Sequence, residues 1–74
     1  MNELLLSKEI YPLTALKKTA AQFNNIAKIN IKENTDNWKC DFELRKDIPL
    51  DMVISEFENY IIDLINSEKM YESN

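Results

Sequence analysis

The sequence predicts an α+β domain of order β-α-β-β-α, a two-layer sandwich with two helices on one face of a three-stranded sheet. Three observations carry that expectation. The stretches "AKINIKEN" and "NWKCDFELRK" alternate apolar and polar residues, the period of half-buried strands. Two other stretches, from about Pro12 to Asn25 and from about Pro49 to Lys69, repeat apolar residues at helical spacing. Finally, 74 residues suffice for one domain, residues 1–74, with a small core.

The N-terminal "NELLLSKEIY" reads as the first strand, with Leu4, Leu6 and Ile10 inward and Leu5 outward. It can also be read as the start of a helix, but the strand gives the more compact order of elements. In "PLTALKKTAAQFNN", Pro12 suits a first helical position. Leu13, Leu16, Ala20 and Phe23 share one stripe, while Lys17, Lys18 and Gln22 face away. Asn24 and Asn25 are expected to end this helix, because Asn tolerates the left-handed capping conformation. Ala27, Ile29 and Ile31 then point one way along the second strand. Trp38, Cys40, Phe42 and Leu44 do so along the third, and the turn formers of "NTDN" make the pair an antiparallel hairpin. The second helix is expected to be capped by Asp47, with Asp51 favouring the same end. Its stripe is Leu50, Ile54, Phe57, Ile61 and Leu64, flanked by Val53, Tyr60 and Ile65.

A right-handed crossover through the first helix leads to the strand order one-three-two, a ferredoxin-like domain without its fourth strand. Order three-two-one stays open. In both, strand one is an edge, and its three adjacent leucines guard that edge poorly. Glu3, Leu4, Leu5, Leu6 and Ser7 are therefore candidate residues for binding a partner by strand addition, within an available edge at residues 3–10. A loop or the C-terminal tail covering the edge is the alternative.

Composition narrows the function. Nine basic residues are scattered among thirteen acidic ones, for a net charge of −4, which argues against nucleic-acid binding. The absence of glycine excludes glycine-dependent phosphate loops and nucleophile elbows, and leaves Asn and Asp as the expected left-handed turn residues. With no histidine and one cysteine, neither a metal nor any other cofactor is expected, and no disulfide can form within the chain. No membrane span is seen, and the expected location is the cytoplasm. Cys40 lies in the inward phase of its strand and lacks a histidine base, so it reads as a small buried hydrophobe. Trp38 reads as the rim of the core. The helix-two carboxylates do not form a convincing acid–base pair, and an enzyme is not expected.

One face of the second helix has no folding role. Met52, Asn59 and Asp63 fall within about 40° of one another by the helical period, with Glu56 beside Asp63 and Ile62 on the flank. These five residues read either as ordinary solvated surface or as a contact face. In the second reading, Met52 and Ile62 supply apolar area, Asn59 a donor and an acceptor, and Asp63 an acceptor for a partner's Arg or N–H. Asp63 can alternatively bond Asn59 across one turn and stiffen the helix.

"EIYPLTALKKTAAQFNN", the alternating hairpin and "FENYIIDLI" together resemble the HxsD-like family, the small His-Xaa-Ser system proteins. The matching positions are Tyr11, Ala15, Ala20, Phe23, Phe57, Asn59, Ile61, Ile62 and Asp63, within residues 9–65. The terminal "NSEKMYESN" departs from the pattern in lacking an arginine-rich continuation. The resemblance implies a non-catalytic accessory protein encoded beside radical SAM maturases of ribosomally synthesised, post-translationally modified peptides. The implied partners are the maturase, the precursor peptide, or both. A ferredoxin-like homodimer of structural or regulatory type is the alternative from a different class.

Overall fold

The computed structural model describes residues 2–72, with side chains through Glu68. Its elements are β1 (Glu3–Ser7), α1 (Leu13–Gln22), β2 (Ala27–Glu33), β3 (Asn37–Leu44) and α2 (Leu50–Glu72), in the order β-α-β-β-α. The sheet is antiparallel with β3 in the middle, order β1-β3-β2, as the one-three-two reading expected.

The period-2 alternation sets which side of the sheet is covered. Leu4 and Leu6 of β1 lie across from Cys40 and Trp38, and Ile29 and Ile31 of β2 across from Phe42 and Cys40. All face a core completed by Leu16 and Phe23 of α1 and Val53, Phe57, Ile61 and Ile65 of α2. The helices thus share one face, and the other carries Lys28, Asn30, Lys32, Lys39, Asp41 and Glu43. The centre of the core is aromatic: the Phe57 ring meets Phe42 edge-on at 5.2 Å between centroids and Phe23 at 5.6 Å.

α1 is rotated from the expected stripe. Ala15, Leu16, Thr19 and Phe23 are buried, while Leu13 and Ala20 are only half-buried. The two small residues, Ala15 and Thr19, are fully buried. The buried Thr19 hydroxyl is satisfied by donating to the Ala15 carbonyl at 2.8 Å. In α2 the expected stripe is centred correctly, but its ends, Leu50 and Leu64, and Ile54 are half-buried, while the flanking Val53 and Ile65 are buried. Tyr60 is 39% exposed, its ring resting edge-on against Phe23.

Several local expectations are corrected. Pro12 is the cap of α1 rather than its first helical residue; its ψ of 145° is extended. α1 ends without a left-handed Asn, and no residue among those described has positive φ. Phe23 instead sits at φ −93°, ψ 3°, in the bridge region, and its carbonyl accepts from the N–H groups of Ile26 and Ala27. The "NTDN" hairpin likewise closes with negative φ throughout, through the Asn34 N–H to the Asn37 carbonyl at 2.9 Å. Asp47 does not cap α2. Asp51 does the local work, accepting the N–H of Met52 at 3.1 Å. Leu44, at the end of β3, is more exposed than its phase implies, because β2 pairing stops there with Ala27.

Cys40 is fully buried between the sheet and the helices. Burial, reinforced by the neighbouring Asp41 carboxylate, pushes its thiol from the ordinary 9.0 up to about 11. The unfolded chain therefore releases this proton at lower pH than the native fold. Below about pH 9 the group has no effect on stability, and between about 9 and 11 it favours unfolding, by on the order of 2 kcal/mol at the upper end. Urea midpoints taken from pH 8 to 11 should fall less steeply in Cys40→Ala than in the parent. Equal slopes would show that the thiol ionises as readily in the fold as outside it.

Candidate partner-binding surface

Two backbone hydrogen bonds fix the polarity of the β1 edge. The Lys8 N–H reaches the Asp36 carbonyl, and the Phe42 N–H reaches the Asn2 carbonyl. In an antiparallel ladder, residues alternate between exchanging both bonds with the partner and pointing both groups away from it. Asn2, Leu4 and Leu6 therefore bond to β3, and Lys8 to Asp36 just ahead of it. Glu3, Leu5 and Ser7 direct their N–H and C=O groups off the free side of the sheet.

That edge is shorter than residues 3–10. The chain leaves the strand after Ser7, since β3 begins at Asn37 and offers no further partner. The Ser7 carbonyl is taken by the N–H groups of Ile10 and Tyr11, at 3.2 and 2.9 Å, and its hydroxyl accepts the Glu9 N–H. Ile10, expected inward, is instead 63% exposed in this turn. The open part of the edge is centred on Leu5, whose side chain is 57% exposed. Leu4 and Leu6 face the core and contribute backbone bonds to β3, so they support the edge without presenting groups on it. Glu3 is held by Lys39 at 2.9 Å. The hydrogen bond that Lys39 donates to Glu3 and the Glu3 charge, with a smaller contribution from Asp41, raise the pKa of Lys39.

Beyond Ser7, the turn and α2 form a groove of about 490 Å³ lined by Lys8–Pro12 on one side and Ile62, Ile65, Asn66 and Glu68 on the other. Its turn side is anchored. The Trp38 indole N–H donates to the Tyr11 carbonyl at 2.8 Å, and Lys8 sits 5.0 Å from the centre of the Trp38 ring while bonding Glu33 at 2.6 Å. Trp38 is half-buried, in accord with its reading as core rim, and it also holds this loop. Glu68 is bonded to Lys18 at 2.8 Å, an exposed pair that raises the pKa of Lys18. Ile62, 43% exposed, and Ile10 give the groove its open apolar surface.

The structure thus brings one residue of the helix face, Ile62, to the end of the β1 edge. Met52, 55% exposed, and Glu56, Asn59 and Asp63 are also exposed on α2 but do not line the groove. Asn59 lies about 180° from the centre of the buried stripe by the helical period, the position with least to do in folding. Among the described residues no side-chain bond joins Asn59 to Asp63. Ile10 and Tyr11 were missed as groove residues because "KEIYP" continues the apolar rhythm of β1 in sequence although the strand has ended. The sequence reading also named one edge strand, whereas the order one-three-two necessarily creates two.

The fold and surface define a small α+β domain whose β1 edge is unpaired among the described residues, with a groove of mixed polar and apolar lining beyond it in the chain. Its residues 6–66 match the family model described as His-Xaa-Ser system protein HxsD. The chain belongs to the HxsD family, and membership points to an accessory role in the His-Xaa-Ser system. No curated protein and no solved structure matches it significantly. Among the described residues, no helix is long and apolar enough to cross a membrane.

Proposed function

We propose that this chain is a non-catalytic accessory protein in the maturation of ribosomally synthesised, post-translationally modified peptides, acting by binding. An extended segment of the precursor peptide adds as a strand along β1 and continues into the groove beside Ile10 and Ile62. The α2 face of Met52, Glu56, Asn59, Ile62 and Asp63 meets a radical SAM maturase. The observation that carries this reading is the set of outward backbone groups at Glu3 and Leu5, the exposed Leu5 side chain among them, with the chain running on from Ser7 into the wall of a groove that exposes Ile10 and Ile62. Cys40, the one thiol, is buried and held protonated, in keeping with a protein that performs no nucleophilic chemistry itself.

A second copy is a poorer occupant of this edge. Antiparallel self-pairing centred on Leu5 sets Glu3 opposite Ser7, whose carbonyl is already occupied by the turn. The test is co-purification of the chain with the maturase and precursor of the same system, together and singly. Retention of either partner is expected, with marked weakening in Asn59→Ala/Asp63→Ala if the maturase is bound through α2. Capture of neither, in any combination, would overturn the proposal.

A further inference from the structure

β2 is the second edge of the sheet, and its chemistry is unlike that of β1. The Asn34 N–H bonds the Asn37 carbonyl and the Arg45 N–H bonds the Ile26 carbonyl. By the alternation of the ladder, Lys28, Asn30 and Lys32 bond to β3, while Ile29, Ile31 and Glu33 point their backbone groups outward. The Ala27 N–H is already taken by the Phe23 carbonyl, so the free edge runs from Ile29 to Glu33.

A strand placed there meets two different rows. Ile29 and Ile31 are half-buried against the core and leave part of their side chains for a neighbour to cover. On the bare outer face, Lys28, Asn30 and Lys32 are exposed along the margin. Lys32 lies directly across from Lys39, which is already paired with Glu3, so the positive charge of Lys32 faces a like charge, whereas Lys28 lies across from Glu43. Neither Lys28 nor Lys32 has an ion pair among the described residues. Lysines on an edge commonly guard it against self-association. Here they do so in register: a second copy paired antiparallel about Asn30 sets Lys28 opposite Lys32. The same two charges favour a strand of opposite sign.

We infer that the β2 edge accepts an extended peptide of the pattern acidic–apolar–polar–apolar–acidic, its acids beside Lys28 and Lys32 and its apolar residues over Ile29 and Ile31. The pattern reads the same in both chain directions. The site is independent of the β1 edge, and its occupancy does not rest on the function proposed above.

The experiment is an amide NMR titration of the full chain with the capped peptide Glu-Val-Ser-Val-Glu. Two capped controls accompany it, Lys-Val-Ser-Val-Lys and the permuted Val-Val-Ser-Glu-Glu. The acidic alternating peptide should shift the amides of Ile29, Ile31 and Glu33, and both controls should leave them in place. In Lys28→Glu/Lys32→Glu, binding should weaken at least about tenfold and the basic peptide should become the better ligand, because cross-strand pairs reward opposite and penalise like charges. Both substitutions are at exposed positions, and the parent's comparison of the three peptides requires no variant. Equal response to the permuted peptide, shifts confined to Glu3 and Leu5, or no shifts at all would each overturn the inference. So would concentration-dependent shifts of the β2 amides without peptide, which would assign the edge to a second copy.

Discussion

Phe57→Ala is expected to leave the chain unfolded at 25 °C, with neither a cooperative urea transition nor dispersed amide resonances. The reasoning starts from size. A domain this small rarely has more than about 3–5 kcal/mol of net stability from a single core. Phe57 is fully buried and, among the described residues, is the one ring that touches both Phe23, at the end of α1, and Phe42 of β3. Removing a buried phenylalanine ring costs about 3–5 kcal/mol, and each edge-on pair adds about 0.5–1.5 kcal/mol beyond area. The loss therefore equals the whole margin. Phe57→Leu keeps apolar volume between the same neighbours and should retain a cooperative transition at a lower midpoint. A folded Phe57→Ala variant losing less than about 2 kcal/mol would mean that α2 can collapse onto the sheet without its central ring.

How much of this was legible in the sequence depends on the signal each element carries. The strands were legible because only one face of the sheet is covered, so burial imposes strict alternation from Ala27 to Ile31 and from Trp38 to Phe42. α2 was legible in phase as well, because its buried face is made of large residues and a wheel weighted by hydrophobicity finds its centre. α1 was not. Its fully buried face includes Ala15 and Thr19, which carry little hydrophobic weight. The wheel followed Leu13 and Ala20 and missed the true face by about 60° at 100° per residue. The candidate site was half legible. That β1 is an edge follows from the order of elements, and the exposure of Leu5 follows from the alternation. The closing of that edge at Ser7, the groove between Ile10 and Ile62, and the outward parity of Ile29 and Ile31 depend on register. Register was set here by where β3 starts and by two loop hydrogen bonds, neither of which leaves a residue-type signature.

That register makes proline a sharp probe of β1, and the two adjacent leucines should respond in opposite ways. The Leu6 N–H lies within the β1–β3 ladder, and the Leu6 side chain is buried. Leu6→Pro removes a ladder bond, puts a ring against the centre of the sheet and empties a core position, losses that together reach about 3 kcal/mol or more. It should abolish the folded state or nearly so. The Leu5 N–H points off the edge and the Leu5 side chain is exposed, so Leu5→Pro costs no internal hydrogen bond, which is the one strand setting where proline is tolerated. It should fold with a modest loss of midpoint. Because a strand added along β1 needs that N–H, the same variant should lose any partner that docks there. Amide exchange in the parent chain supplies the matching readout without mutation: Leu4, Leu6 and Lys8 should be protected, and Glu3 and Leu5 should exchange at rates near those of an open chain. Protection at Leu5 that persists in the isolated, monomeric protein would place a hydrogen-bond partner on this edge, and the strand-addition reading of β1 would then fail together with the proline contrast.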